Sequence, residues 1–221
     1  MEEKYATFKK YPDAAQAREL QQYLISNGIE CLFADVSPTL DSSFSSSHLK
    51  EYEVQLKPED FEKAHGLLEK HAEEMVAALG EDYYLFSFTD EELYEVIVKQ
   101  DEWSEFDYVL ARKLLADRGK AIDEMELRTM RVQRIEELAK PQENHMGWIA
   151  AGYIMALLGG FFGIIIGYVI WTSGKTLPNG QYAYTYTHSG RKQGKIIFIL
   201  GIVVLTAVIL SQVFKKYLSL N

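Results

Sequence analysis

The stretch at residues 148–171, WIAAGYIMALLGGFFGIIIGYVIW, decides the expected fold, and a second stretch at residues 196–214, IIFILGIVVLTAVILSQVF, completes it. Neither stretch contains Asp, Glu, His, Lys or Arg. An uncharged apolar run of about 18 residues or more is long enough to cross a bilayer as a helix. The sequence therefore predicts a membrane hairpin at 146–221, in which two spans are joined by a loop at 172–194.

Charge divides the chain at the same place. Residues 1–145 hold all 32 acidic residues and 17 of the 23 basic ones, whereas residues 146–221 hold six basic residues and no acidic one. Nucleic-acid binding requires clustered Lys and Arg, so this acidic head is not expected to bind nucleic acid. The first expected partner is instead the lipid bilayer. The single cysteine, Cys31, excludes an intramolecular disulfide and favours a reducing compartment.

Residues 1–80 alternate between strand and helix patterns. Strands are predicted at 5–9, 29–34 and 51–56. A first helix is predicted between Pro12 and Gly28, and a second between Pro58 and Gly80. The order β-α-β-β-α predicts a three-stranded sheet with both helices on one face.

Residues 81–140 predict a helical segment. Alternating apolar residues at 83–88 predict a short extended stretch before it. Thr89 and Glu92 have the spacing of a capping box, and Ser104 marks the start of another helix. The expected fold class is therefore α+β: a small β-α-β-β-α domain, a helical middle segment, and a hairpin of two transmembrane helices.

Core and cap residues of the first domain follow a recognisable order. They are Ala14, Ala15, Ala17, Leu20, Tyr23, Leu24, Asn27, Gly28, Ile29 and Cys31, then Tyr52, Glu53, Val54, Pro58, Glu59, Asp60, Ala64, Leu67 and Leu68. Over about residues 4–75 this order resembles a prokaryotic signal-transducing protein family of small α/β domains. The resemblance implies a compact sensor or adaptor module and brings no catalytic residue with it. The segment 36–49 and the membrane hairpin go beyond the minimal domain of that family.

The segment 36–49 is rich in serine and has two interpretations. It is either a flexible surface loop or a loop that becomes ordered on a ligand or partner. The candidate residues for the second interpretation are Ser37, Ser42, Phe44, Ser45 and His48. A glycine-rich phosphate cradle is absent from the sequence, so nucleotide binding is not favoured.

Small residues recur in the first predicted span. Gly159, Gly163 and Gly167 are spaced every four residues, with Ala156 and Gly160 beside them. On one helix these residues would share a face that allows close backbone contact. That face could contact the second span or a second copy of the chain.

Aromatic and basic residues flank both predicted spans, as is typical of the membrane interface. The turn signal Pro178-Asn179-Gly180, followed by alternating tyrosines, predicts a short β-hairpin on the bilayer surface, with an exposed docking strand as the alternative. The expected interface residues are Trp148, Trp171, Tyr182, Tyr184, Tyr186, Arg191, Lys192, Lys195, Lys215 and Lys216.

Two spans would place the head and the C terminus on the same side of the membrane. The basic residues counted on that side are Arg128, Arg131, Arg134, Lys140, Lys215 and Lys216, against Lys175, Arg191, Lys192 and Lys195 in the loop. This bias, and an N-terminal sequence unlike a signal peptide, favour a cytoplasmic head at the cell (inner) membrane.

The sequence contains no catalytic, dinucleotide-binding or metal-binding motif, so we expect no enzyme, cofactor or metal. The leading hypothesis is a membrane-anchored regulatory or adaptor protein whose head senses a ligand or a membrane-protein partner. The alternative is a membrane-embedded oligomer, either a scaffold or a simple pore, that self-associates through Gly159, Gly163 and Gly167.

Overall fold

The computed structural model describes residues 5–36, 50–80, 83–141 and 146–220, and the chain forms two compact units. The first, the head unit, comprises Met1–Leu138 together with Thr176–Gln181. The second, the membrane unit, comprises Ala139–Lys175 and Tyr182–Asn221. The predicted domains 1–80 and 81–140 therefore belong to one unit.

The head unit begins with the predicted β-α-β-β-α order and continues as helices, so the α+β class is confirmed. Its elements are β1 (Ala6–Tyr11), α1 (Ala14–Ser26), β2 (Cys31–Asp35), β3 (Tyr52–Leu56), α2 (Phe61–Ala77), α3 (Asp90–Val98), α4 (Glu105–Asp117) and α5 (Glu124–Ala139). Short 3₁₀ turns lie at Pro58–Asp60, Tyr84–Ser87 and Gln100–Glu102.

The first core lies between the sheet and the helices α1 and α2. β3 is the central strand and pairs antiparallel with β1 and β2. Val54 and Leu56 of β3 pack against Leu24 of α1 and Phe61 of α2, and all four side chains are buried. Full burial of one such side chain contributes about 1.5–3 kcal/mol. These contacts hold α1 and α2 on one face of the sheet.

The second core joins the helices of the middle segment. Leu93 of α3, Leu110 of α4 and Leu127 of α5 are buried together, and α2 adds Ala72 and Val76. Because α2 contributes side chains to both cores, the two predicted domains cannot separate without exposing one of the two cores to solvent. This shared helix explains why they form a single unit.

Local signals set the helix starts in this region. The Thr89 hydroxyl accepts a hydrogen bond from the Glu92 backbone N–H, and the Glu92 carboxylate accepts one from the Thr89 N–H, at 3.3 and 2.7 Å. This is the predicted capping box. The extended stretch predicted at 83–88 is wrong in part, because Tyr84–Ser87 forms a 3₁₀ turn. The turn buries Leu85 in the second core.

The membrane unit differs from the predicted hairpin. Its elements are α6 (Met146–Leu157), α7 (Phe161–Thr172), β4 (Gly174–Thr176), β5 (Tyr182–Tyr184) and α8 (His188–Leu220). The short strands β4 and β5 pair with each other, as the turn signal predicts. The thirty-three-residue helix α8 contains the second apolar run, 196–214.

The prediction that residues 148–171 form one spanning helix is wrong. The run is divided between α6 and α7, which have 12 residues each, and Gly160 between them has φ of 84°. Twelve residues make about 18 Å of helix, less than the roughly 30 Å of a hydrocarbon core. Among the described residues, only α8, over His188–Tyr217, has the length and composition to cross a membrane.

Candidate functional site

The helices α6 and α7 fold back against each other. A Cβ atom built on Gly163 would collide with the backbone of Ala156. One built on Gly152 would lie 3.1 Å from Cγ2 of Ile166. Gly163 of α7 faces Ala156 of α6, and Ile166, further along α7, faces Gly152, which comes earlier in α6. The two helices are therefore antiparallel, and the turn at residues 158–160 joins them.

The helices α7 and α8 are also antiparallel and equally close. A Cβ on Gly167 would collide with the backbone of Phe198, and one on Gly160 would lie 2.7 Å from the backbone nitrogen of Leu205. From the other side, a Cβ on Gly201 would lie 2.9 Å from the backbone nitrogen of Ile164. Only glycine allows the two backbones to approach this closely.

The predicted small residues therefore lie mostly in contacts within the chain. Ala156, Gly160, Gly163 and Gly167 are buried between α6, α7 and α8. Gly159 is the exception, since an added Cβ there would meet no atom within 4 Å. A second copy of the chain would find the Gly163 and Gly167 face already covered.

Polar side chains gather where α8 begins. The Tyr153 hydroxyl donates to Oε1 of Gln193 at 2.5 Å, and Nε of Arg191 donates to the Trp171 carbonyl at 3.1 Å. Lys195 Nζ lies 5.5 Å from the centroid of the Trp171 ring. We call Tyr153, Trp171, Arg191, Gln193 and Lys195 the polar collar. Aromatic and basic residues of this kind favour the headgroup region of a bilayer.

The remaining predicted interface residues lie in different surroundings. Trp148, Tyr182, Tyr184 and Lys192 are exposed, and Tyr186 packs against the small apolar core of the membrane unit. Lys215 and Lys216 are exposed near the other end of α8. The predicted loop residues Ser37, Ser42, Phe44, Ser45 and His48 lie outside the described residues.

The loop between α7 and α8 has its apex, Thr176–Gln181, in the head unit. Leu177 of this loop apex is buried. Gly180 has φ of 78°, and a Cβ there would lie 2.7 Å from Cα of Pro58. Nε2 of His65 lies 3.2 Å from the Pro178 carbonyl oxygen. Neither sequence interpretation of this loop, the surface hairpin or the docking strand, anticipated that its apex would pack against α2.

A charged cluster continues from His65 into the head. Nδ1 of His65 lies 3.8 Å from Oε1 of Glu105, and Lys9 Nζ lies 2.5 Å from Oε2 of the same carboxylate. Burial acts to raise the pKa of Glu105, but the hydrogen bond with His65 and the charge of Lys9 outweigh it and lower the pKa to about 2. Strand β1, helix α2, helix α4 and the loop apex therefore meet at one partly buried ion cluster.

Replacing Glu105 by glutamine is expected to destabilise the head by about 2 kcal/mol at pH 7, less than the full pKa shift implies because solvent screens the partly exposed Lys9. A carboxylate with a lowered pKa stabilises the folded state fully above its ordinary pKa, near 4.5, and loses that effect as the pH falls towards 2. The difference between wild type and Glu105→Gln should therefore shrink between pH 4.5 and pH 2. Denaturant unfolding of the full chain in detergent, repeated over this range, measures it.

The matched control for this experiment is Glu95→Gln, because Glu95 forms an exposed i,i+4 pair with Lys99 on α3. Because solvent screens such an exposed pair, its removal should change the stability of the head very little at any pH. If the difference in free energy of unfolding between wild type and Glu105→Gln stayed constant from pH 7 to pH 2.5, the lowered pKa of Glu105 would be contradicted.

The outer face of the sheet carries a second polar cluster. The buried Glu53 carboxylate accepts hydrogen bonds from the Thr7 hydroxyl and the Gln55 amide, both at 2.8 Å, and pairs with Lys10 at 3.2 Å. The exposed side chain of Leu32 lies on the same face, opposite Gln55 in the strand register.

A cleft of 410 Å³ opens between α2, α4 and the segment before α5. Its lining residues are Glu73, Val76, Ala77, Val109, Arg112, Lys113, Ala116, Ala121 and Ile122. Aliphatic side chains form most of the lining, and the two cations are Arg112, which pairs with Glu124, and Lys113.

Among the residues that the structure describes, no group of three or more His, Cys, Asp or Glu side chains could hold a metal ion. No protein-family model, curated protein or solved structure matches the chain. The relation of residues 4–75 to the signal-transducing family therefore stays a prediction from the sequence.

Proposed function

We propose that this protein is a membrane-anchored regulatory or adaptor protein. Its head unit recognises a partner beside the membrane, and the loop apex transmits that recognition to the membrane helices. The observation that carries the proposal is the packing of the loop apex, with Leu177 buried, Gly180 against Pro58, and Pro178 beside His65.

The path from the head to the membrane helices is short along the chain. α7 ends at Thr172, α8 begins at His188, and the loop apex lies between them. The strands β4 and β5 pair, and the Thr185 N–H donates to the Ser173 carbonyl at 3.1 Å, so this connection is ordered. A change in the head at Pro58 or His65 would bias the position of the loop apex and, through it, the ends of both helices.

The membrane location is supported by the surface of α8. Residues 206–217 are all exposed, and most of those between 206 and 214 are apolar. A largely apolar exposed surface of this length is unfavourable in water and suits lipid. We place the head on the cytoplasmic side of the cell membrane, where its acidic surface would be repelled by anionic lipid. A membrane-protein partner therefore suits the head better than the lipid surface does.

An oligomer formed through Gly159, Gly163 and Gly167 is less well supported, because most of this face is already in contact within the chain. The structure uses Gly163 and Gly167 for contacts with Ala156 and Phe198 of the same chain. No observation on the described residues favours a second copy at this face.

Site-specific photocrosslinking of the full-length protein in membranes tests the recognition step. A crosslinking residue at Leu32, on the outer face of the sheet, is expected to capture a defined membrane protein. The same residue at Met125, which is exposed on α5, serves as the positional control. If Leu32 captured no protein beyond the background of unirradiated membranes, the adaptor role would be rejected.

A glycine pair tests the transmission step. Gly180→Ala introduces a side chain at φ of 78° and into contact with Pro58, whereas Gly66→Ala, on α2, meets no atom within 4 Å. Partner binding should slow tryptic cleavage after Lys175 in wild type and Gly66→Ala, and this protection should be lost in Gly180→Ala. Equal protection in all three proteins would show that the loop apex transmits nothing.

A further inference from the structure

The turn between α6 and α7 is apolar and exposed. Leu157, Leu158, Phe161 and Phe162 surround it and are 58 to 77% exposed. A helix turn that faces water normally carries Asn, Asp, Ser or Gly with polar neighbours. Four large apolar side chains at one turn instead require apolar surroundings, which lipid acyl chains provide.

Part of the backbone of this turn is satisfied within the chain, as the interior of a bilayer requires of each N–H and C=O. The Leu158 N–H donates to the Ile154 carbonyl at 3.0 Å, and the Ile164 N–H donates to the Gly160 carbonyl at 2.9 Å. Gly160 itself is buried against α8. Irregular backbone at membrane depth is tolerated where protein covers it in this way.

The depth of the turn can be measured along α8. Gly160 contacts Gly201 and Leu205, and beyond Leu205 every described side chain of α8 is exposed. Leu205 lies midway along the apolar run 196–214, about 14 Å from either end at 1.5 Å per residue. A hydrocarbon core is roughly 30 Å thick, so the turn lies near its midplane.

Both ends of the α6–α7 pair connect along the chain to segments of the head unit. α6 follows α5 of the head unit, and α7 leads through β4 into the loop apex, which is part of the head unit. The polar collar lies just before Ile196, at the level where the apolar run of α8 begins.

We propose that α6 and α7 form a re-entrant hairpin inserted only into the leaflet on the head side. α8 alone crosses the bilayer, and the C terminus lies on the side opposite the head. The partner of the exposed hairpin surface is the acyl chains of that one leaflet. This inference rests on α8 spanning the membrane and is independent of the regulatory role.

The distribution of basic residues fits this topology. On the head side it places Lys140, Lys175, Arg191, Lys192 and Lys195, and on the other side only Lys215 and Lys216. Arg131 and Arg134 do not enter the comparison, because they form ion pairs inside the head. Five cations on the head side against two on the other side favour a cytoplasmic head. In a two-span arrangement the loop cations Lys175, Arg191, Lys192 and Lys195 would lie on the side of the membrane opposite the head, and the charge bias would be weaker.

Cysteine accessibility in sealed vesicles tests the topology of the full chain. In a Cys31→Ala background, single cysteines replace Met125 in the head, Lys175 in the loop, Leu158 at the turn and Tyr217 near the end of α8. A membrane-impermeant maleimide should label Met125→Cys and Lys175→Cys from the same side. It should label Tyr217→Cys only from the other side, and Leu158→Cys from neither until detergent is added.

Each other pattern overturns the proposal. Labelling of Tyr217→Cys from the head side, with Lys175→Cys on the opposite side, would establish two spans. Labelling of Leu158→Cys in sealed vesicles would show that the hairpin lies on the surface. Release of the protein from membranes by alkaline washing would show that α8 does not cross. Gel filtration in detergent verifies folding of each variant, and Phe162→Cys provides a second turn position.

Discussion

Replacing Gly167 by leucine is expected to separate α7 from α8 and to destroy the compact membrane unit. A Cβ at Gly167 would already collide with the backbone of Phe198, and the nearby carbonyl of Gly194 would lie 2.8 Å away. Overpacking against movable side chains typically costs about 1–3 kcal/mol. Because the backbone of a helix cannot move aside as a side chain can, Gly167→Leu should lower the stability of the membrane unit by at least about 3 kcal/mol. The loss of stability can be measured by unfolding the full chain in mixed micelles, with the protease resistance of α6–α8 as the readout.

The matched control is Gly147→Leu. Gly147 lies at the start of α6, and an added Cβ there meets no atom within 4 Å. The same change in volume and composition should leave the unit as stable as wild type. If Gly167→Leu were as protease-resistant as Gly147→Leu, the close contact between α7 and α8 would be disproved.

Replacing Arg134 by leucine is expected to destabilise the head by about 3 kcal/mol, because it leaves nearby carboxylates without their cation. The buried Arg134 guanidinium donates from Nε to Asp101 at 2.7 Å and from Nη2 to Glu102 at 2.5 Å, and it pairs with Glu137 at 3.2 Å. Hydrogen bonding to Asp101 is the main cause that raises the pKa of Arg134, so the cation persists at all accessible pH values. Asp101 is the least exposed of the three acids, so leaving its carboxylate unpaired would account for most of the loss of stability.

Arg128→Leu on the same helix is the control, because Arg128 is exposed. Arg134→Lys should fall between the two, since an ammonium group cannot donate in the same forked geometry. Thermal unfolding of the full chain in detergent ranks the three variants. A ranking in which Arg128→Leu is as unstable as Arg134→Leu would contradict the role of the ion cluster.

The positions of Arg131 and Arg134 differ from the sequence interpretation, which counts both among the cations that flank the membrane. The structure places Arg134 with Asp101 and pairs Arg131 with Glu69 and the Tyr108 hydroxyl. A residue count near a membrane cannot distinguish a cation that faces lipid from one that is neutralised inside a domain.

Local chemistry was sufficient for most element boundaries. Thr89 and Glu92 form their capping box within four residues, Gly28 follows α1 in a left-handed conformation, and the Pro178-Asn179-Gly180 turn joins β4 to β5. These features depend on neighbouring residues only. The predicted order of strands and helices in residues 1–80 followed from the same kind of information.

Local chemistry was not sufficient for the contact between His65 and Pro178. The two residues are 113 positions apart, and neither lies in a sequence motif that predicts contact with the other. Nothing in the loop 172–194 indicated that its apex would pack against α2. Burial of Leu177 and the close approach of Gly180 to Pro58 depend on the folded head, which composition does not describe.

By itself, the sequence determined the acidic head, the α+β order of its elements and the apolar helix α8, because hydropathy and helix or strand propensity act over a few neighbouring residues. Only the tertiary structure decided that residues 148–171 fold back on themselves at residues 158–160 and that their glycines face α8. A run of apolar residues has the same composition whether it crosses a bilayer or returns halfway. The path is chosen by which surfaces cover one another, here the backbone of Gly160 against Gly201 and that of Gly163 against Ala156.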